Sequence, residues 1–398
     1  MTKAQAAIVG AGRTRFGELW NQSAERLVVE AGLDAIKSVD KGIGRKDINA
    51  FYIGSLLLEK TTNISTLDAY LSRELSVHAP IAILKSGSSA LYNGVNAIKS
   101  GLDVVCVGGI EKMTDAFVSI PEFLTSTIDQ YEADAGFTYP GLFAAMTNKY
   151  MLDFNAKREA FAKVPCKNHY HGMNNEFAQF RNKMLPERVL SSPLVADPIR
   201  TFECAPISDG AAAVIITKPE IAKKFTDTPI YIVSSSQATD HISLYSRHSM
   251  TKFESTELAM ERALKESSIG LDKIQIAEVH DSTPIEEVLF LEDAGFVKKG
   301  LGWKIVDESI KSFEGSKHIP YVLEDGRELV INCGGGLKAD GHPIGATGVR
   351  QVYEAFKQLR NEAGKRQVSL DKQIESAVLH DTESSGAVST IHILRRFE

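Results

Sequence analysis

Apolar residues along the chain fall into short runs separated by longer stretches of helical spacing. Residues 6–9 read as an apolar strand. Residues 23–37 place Leu27, Val28, Ala31, Leu33 and Ile36 on one helical stripe. A second strand is predicted at 50–54, a helix at 66–76 and a third strand at 81–84. A small-residue turn at 85–89 then runs into a helix that ends near Lys99, and residues 103–108 form a buried strand. Strands and helices in this order predict an α/β domain with helices packed on a mixed sheet.

From about 115 to 198 the rhythm breaks into polar and aromatic segments that read as helices and loops inserted into the first unit. Lys167, His169 and His171 lie in it, and packing is the simpler role for such histidines. Strand-like runs resume at 211–217 and 230–234. A second series follows: helix 255–267, strand 276–279, helix 285–294, strand 328–331, a glycine-dense turn at 332–348 with its helix, and strand 376–379. In each half an apolar strand enters a small-residue turn and then a helix, SGSSALYNGVNAIKSG in one and GHPIGATGVRQVYEAFKQLR in the other. This duplication predicts two similar halves, residues 1–220 and 221–398, meeting near 218–228.

Composition narrows the function classes. The 398 residues are 43% hydrophobic and 24% charged, enough for two or three domain-sized units around a large core. Lys and Arg number 45 against 51 Asp and Glu, a net charge of −6 with no long basic run, which argues against nucleic-acid binding. No apolar run approaches the roughly 20 residues that cross a membrane. The four cysteines show neither metal-type spacing nor a disulfide framework, so no metal is expected and a cytoplasmic location fits. No signal peptide precedes the first strand, and no peroxisomal address ends the chain.

The stretch 332–348 carries the first chemical signal. A strand, a glycine-rich turn and a helix start form a setting in which backbone N–H groups stabilise an anion. Gly335, Gly336 and Gly341 would let the backbone approach a ligand, and Pro343 stiffens the turn that presents His342. A tight strand-to-helix turn with a surface histidine explains the same pattern equally well.

Six stretches together resemble the thiolase superfamily, in its sterol-carrier-protein-type and archaeal branch. They are GGIEKMT from Gly108, KNHYHG from Lys167, AQFR from Ala178, SDGAAA from Ser208, EVHD from Glu278 and GHPIG from Gly341. The resemblance spans nearly the whole length. It implies a five-layered αβαβα fold of two duplicated halves with an inserted loop domain, and a homodimer or tetramer. It also implies coenzyme A thioesters as substrate or ligand, with no separate cofactor. Members of this branch often pair with a small OB-fold protein carrying a zinc ribbon, so a heteromeric complex is an expectation too.

Thiolase chemistry needs a cysteine thiolate at a helix N-terminus, a histidine in the GHP turn, a residue positioning water for an oxyanion hole, and a second cysteine as acid/base. The family's Cys-x-Ser-Gly pattern aligns without a gap on Leu84-Lys85-Ser86-Gly87, so Leu84 stands at the nucleophile position. Ser282 replaces the cysteine of the HDCF-type loop, and the 380–386 segment lacks the usual glycine pair. His342, His280, Asn332 and His380 remain, and with Ser282 they make up the candidate catalytic set. Losing a covalent nucleophile costs about a millionfold, so ping-pong thiolysis through Leu84 is excluded. Ser86 and Ser88 read as cap and packing residues, Lys85 as a solvent-facing lysine, and Cys333 as a buried thiol.

Three readings follow. One is an enzyme acting on acyl-CoA thioesters, by acyl transfer or carbon–carbon bond formation or cleavage, without a cysteine nucleophile. The second is a non-catalytic CoA-ester-binding or scaffolding subunit. The third and weakest is a conventional acetyl-CoA acetyltransferase. An enzyme should keep an open polar cavity where His342, His280 and His380 converge, whereas a degenerate subunit would fill it with Leu84, Lys85 and Glu383.

Overall fold

The computed structural model describes residues 4–311, 315–370 and 373–397. Its strands are β1 (Ala6–Arg13), β2 (Ala50–Gly54), β3 (Ile81–Leu84), β4 (Val104–Glu111), the small hairpin β5 (Leu194–Ala196) and β6 (Ile199–Arg200), and β7 (Gly210–Thr217). The second series is β8 (Ile230–Thr239), β9 (Ile276–Val279), β10 (Tyr321–Val322), β11 (Glu328–Ile331), β12 (Ser376–Glu383) and β13 (Val388–Arg395).

Strand order exposes the duplication. The first half runs β3-β2-β4-β7-β1 and the second β11-β9-β12-β13-β8, so each strand has a counterpart in the same place. In the two halves β3-β2-β4 and β11-β9-β12 are parallel and the next two strands antiparallel, and β10 adds an antiparallel edge beyond β11 that has no counterpart among the described residues of the first half. The halves join edge to edge where β1 pairs with β8, Ala6 opposite Ile232 and Ile8 opposite Ile230.

Two helices, Gly87–Lys99 and Ile344–Leu359, occupy equivalent places after β3 and β11 and pack on each other between the half-sheets. Helix Gly87–Lys99 touches β2 and β4 on one side and β8 and β13 on the other; Ile344–Leu359 touches β4, β7, β9 and β12. One apolar cluster therefore takes Leu91, Val95, Val349 and Phe356 from the helices together with residues of both half-sheets. Helix Ala24–Lys37, capped by Ser23, covers the outer face of the first half, and Glu254–Ser267 covers that of the second. These are the five layers.

Close approach of the central helices depends on glycine. A Cβ on Gly348 would lie 2.3 Å from the Ser88 nitrogen and oxygen, and one on Gly345 would lie 2.5 Å from the Gly54 carbonyl. The inserted region is more helical than its sequence suggests, with Tyr139–Phe154 and Arg158–Gly172 packed against the second half. Strand β13, with its alternating Ser389, Ile391, Ile393, is absent from the sequence-based assignment, where the polar residues before it read as a loop end. No helix among the described residues is long and apolar enough to cross a membrane.

Candidate active site

A cavity of about 800 Å³ opens where β3, β9 and β12 end and the two central helices begin. Leu84, Lys85 and Ser86 form one wall; His280, Ser282 and Thr283 another; His342 and the 381–384 segment close it. Tyr139 and Pro140 of the inserted region, and the loop from Cys204 to Ile207, complete the lining.

His280 leaves the end of β9 and is buried. Its Nδ1 lies 2.6 Å from Asp381 Oδ1, and its Nε2 has no hydrogen-bond partner, with Glu286 Oε1 3.9 Å away. Burial opposes a charge on this ring. The hydrogen bond to Asp381 and the negative charges of Glu286, Asp381 and Asp281 outweigh it, so the pKa of His280 lies above its ordinary value. Asp381 shows the complement: burial acts to raise its pKa, but the hydrogen bond and charge of His280 carry it below the usual range. Glu286 is raised, by burial above all.

Ser282 Oγ donates to Glu286 Oε2 at 2.5 Å, and the same oxygen accepts from the Thr283 N–H at 2.7 Å in a capping box that starts helix Pro284–Asp293. The hydroxyl proton of Ser282 is thus committed to Glu286, and its oxygen also lies within hydrogen-bond reach of the Tyr139 phenol. Tyr139 beside it has a phenol pKa raised by burial and by the charge of Glu286.

His342 is half-buried, and its ring meets that of His280 edge-on with centroids 5.1 Å apart. Its Nδ1 lies 2.8 Å from Thr347 Oγ1, whose own proton goes to the Pro343 carbonyl at 3.2 Å. This pattern assigns the proton to Nδ1 and a free lone pair to Nε2. Burial, reinforced by the adjacent His280, pushes the His342 pKa down to about 3. The pKa values of two adjacent imidazoles are thereby driven apart, His280 upward and His342 downward.

Other sequence-predicted residues have different roles. The N–H groups at the start of the short helix Gly336–Asp340 bond the carboxyl group of Asp281, Leu337 at 2.7 Å and Lys338 at 3.3 Å, so the glycine turn seats an internal carboxyl group, its pKa pushed up to about 8 by burial, instead of a ligand. Gly335 and Gly336, both at positive φ, shape that turn. A Cβ on Gly336 would lie 2.5 Å from Asp281 Oδ1. Gly341, also at positive φ, brings the His342 N–H within 2.9 Å of Ser208 Oγ. Asn332 is fully buried behind the cavity. It takes the Val279 N–H at 2.8 Å and donates to Glu287, buckling β9 to β11. His380 is turned away from the cavity: its Nε2 meets Thr256 Oγ1 at 3.0 Å, its ring lies over Phe290, and burial holds its pKa at about 3. The expected convergence of three histidines therefore involves two, because His380 points to the opposite face of β12 from Asp381.

His171 is locked between the Asn332 carbonyl and the Ile319 N–H, His169 stacks on Phe180, and Lys167 pairs with Glu287, all buried as packing groups. Sequence reading missed Asp381 and Glu286, which tune His280, and also Tyr139 and Cys204. Asp381 had a signal, since strand alternation sets it on the face opposite His380; Tyr139 had none, because only the fold brings the insertion over the site. Cys204 is the cavity's cysteine. Burial pushes its thiol up to about 11, and its Sγ reaches only the Arg200 carbonyl at 3.7 Å. Cys333 is fully buried in the central layer.

Family models for the thiolase N-terminal domain and the thiolase C-terminal domain-like region match residues 6–220 and 236–396. An acetyl-CoA acetyltransferase from Methanothermobacter thermautotrophicus is 38% identical over 98% of this chain and 99% of its own length. Sterol carrier protein 2 from Oryctolagus cuniculus is 30% identical over 91% of this chain and 67% of its own. A solved structure described as an Ltp2–ChsH2(DUF35) aldolase superposes with a TM-score of 0.81 over 100% of this chain and 99% of that one, at 18% identity. With both domain models matched across nearly its full length, the chain belongs to the thiolase family.

Proposed function

We propose that the chain acts on coenzyme A thioesters and makes or breaks the Cα–Cβ bond of the acyl group without forming an acyl-cysteine. The observation that carries this reading is the open cavity in which His280, its pKa raised, and His342, its pKa lowered, converge while Leu84 occupies the strand-to-helix turn. Leu84, Lys85 and Glu383 line this space instead of filling it, which favours an enzyme over a degenerate subunit. The names of the acetyl-CoA acetyltransferase relatives support a thioester ligand. The aldolase with the same fold supports bond cleavage, and its two named components support a second chain as partner.

In a retro-aldol step the hydroxyl on the β-carbon loses its proton and becomes a carbonyl. The Cα–Cβ bond breaks, and its electron pair becomes a thioester enolate. The oxygen of that enolate needs a donor that strengthens as charge develops. His280 Nε2–H, carried by the protonated ring that the raised pKa favours and without a protein partner among the described residues, supplies one. The replacements weighed for a missing nucleophile are poorly equipped. Ser86 Oγ caps its helix and donates to Glu383, Ser88 is buried outside the cavity lining, and the Cys204 thiol sits on a loop without an activating base.

The test is titration and turnover on the purified chain, alone and with any co-purifying zinc protein. Acetyl-CoA should bind, acetoacetyl-CoA should not be thiolysed, and a β-hydroxyacyl-CoA series should release an aldehyde or ketone together with the shortened acyl-CoA. Rapid thiolysis of acetoacetyl-CoA would contradict the reading.

A further inference from the structure

We infer that Glu383 is the catalytic base that takes the β-hydroxyl proton in the proposed cleavage. The assignment rests on that reading and gives one residue of the cavity wall a role that the family chemistry does not use.

Glu383 ends β12, two residues beyond Asp381, and both line the cavity. Residues two apart on a strand project to the same face, roughly 7 Å from each other. Asp381 aims His280 at the thioester oxygen. Glu383 then stands one such step further, where the next oxygen-bearing carbon of the acyl chain would lie.

The carboxylate is held, not loose. Ser86 Oγ and Ser89 Oγ each donate to its Oε1 at 2.6 Å. Ser89 is held in turn by Gln237 Nε2 at 2.9 Å, and Gln237 by Thr390 Oγ1 at 2.9 Å. Two serines of the first half therefore fix one oxygen, and Gln237 of the second half holds one of those serines. Among the described residues none bonds the other, Oε2, and the residue keeps partial exposure to the cavity. A fixed carboxylate with one uncommitted oxygen is an acceptor for a substrate hydroxyl.

Two buried atoms beside the cavity, His280 Nε2 and Glu286 Oε1, lie 3.9 Å apart and lack hydrogen-bond partners among the described residues. Buried polar groups are rarely left this way unless something else completes them. His342 competes for the proton less well, because burial, reinforced by the His280 ring 5.1 Å away, holds its pKa at about 3.

The step balances. The hydroxyl O–H bond breaks and its proton passes to Glu383 Oε2. The Cα–Cβ bond then breaks as the β-carbonyl forms and the electron pair moves into the enolate held by His280. The proton on Glu383 returns to Cα, giving the shortened acyl-CoA and a free aldehyde or ketone. Nothing is oxidised or reduced, and no co-reactant is consumed.

The experiment follows cleavage of 3-hydroxybutanoyl-CoA, 3-hydroxy-3-methylbutanoyl-CoA and longer homologues by the full chain, beside acetyl-CoA affinity. Glu383→Gln keeps an oxygen for the two serines but loses basicity, so kcat should fall about 100-fold or more while acetyl-CoA affinity is retained. In Glu383→Ala, added formate should restore cleavage, since the cavity admits a small carboxylate where the side chain stood; a purely structural role would not be rescued. Cleavage by Glu383→Gln at the wild-type rate, or no formate rescue of a folded Glu383→Ala, overturns the assignment while leaving the proposed function standing. A wild-type chain that binds acetyl-CoA but cleaves no member of the series overturns both. If Glu383→Gln does not fold, rescue of Glu383→Ala or slowed turnover in Glu383→Asp decides the matter.

Discussion

His280 stands between one carboxylate that bonds it and another that only faces it. That arrangement sets a pH dependence whose sign follows directly. Its pKa in the folded protein is raised, so the imidazolium persists to higher pH than that of a free histidine and is lost as the pH rises through that raised value. Bond cleavage that depends on Nε2–H should therefore fall as the pH rises, with a midpoint above that of an ordinary histidine. Asp381→Asn removes the charge that bonds Nδ1 at 2.6 Å, which lowers the His280 pKa and moves the falling limb to lower pH. A kcat–pH profile checks this, and a limb that does not move would remove His280 from the reaction. The depressed His342 contributes no opposing limb above about pH 3.

At the scale of elements, the site is positioned by two helix starts pressed together, and glycine permits it. The glycines of 332–348 were legible as a turn requiring unusual backbone freedom, but composition does not say what approaches the backbone. The structure answers that Ser88, Gly54 and Asp281 do, and that these contacts are internal. Likewise Asn332 and His380 looked catalytic because sequence proximity to a motif says nothing about which face of a strand a side chain takes. Gly348→Ala tests the helix crossing. Its Cβ meets Ser88 backbone at 2.3 Å, so the helices must separate at a cost of about 1–3 kcal/mol. Both the melting temperature and the cleavage rate should fall, since His342 rides on one helix start and Ser86 on the other. An unchanged melting temperature would mean that the helices yield without strain.

Across the whole molecule, a chain of buried charges reinforces the joint between the halves. Arg13 of β1 makes a two-pronged ion pair with Asp340 at 2.7 and 2.8 Å, and Arg350 lies between Asp340 and Glu278. Aromatic rings of Phe16, Phe177 and Tyr353 surround the Arg13 guanidinium. The duplication itself was legible, because apolar strands and small-residue turns recur at matching places in both halves. The partners of these charges were not, because Arg13 and Asp340 are far apart in sequence and paired only by the fold. The same holds for the site: His280, Ser282 and His342 were legible from local motifs. Asp381, Glu286, Tyr139 and Cys204 acquire meaning only when β9, β12 and the insertion meet around the cavity.

The central claim is that chemistry in this cavity proceeds without an acyl-enzyme. Its most direct test is the intact mass of the chain after brief incubation with acetyl-CoA or acetoacetyl-CoA, read beside release of free coenzyme A. The account predicts an unmodified mass and no burst of coenzyme A, in the wild type and in Cys204→Ser alike. An acyl adduct that forms within one turnover, maps to Cys204 and disappears in Cys204→Ser would contradict it.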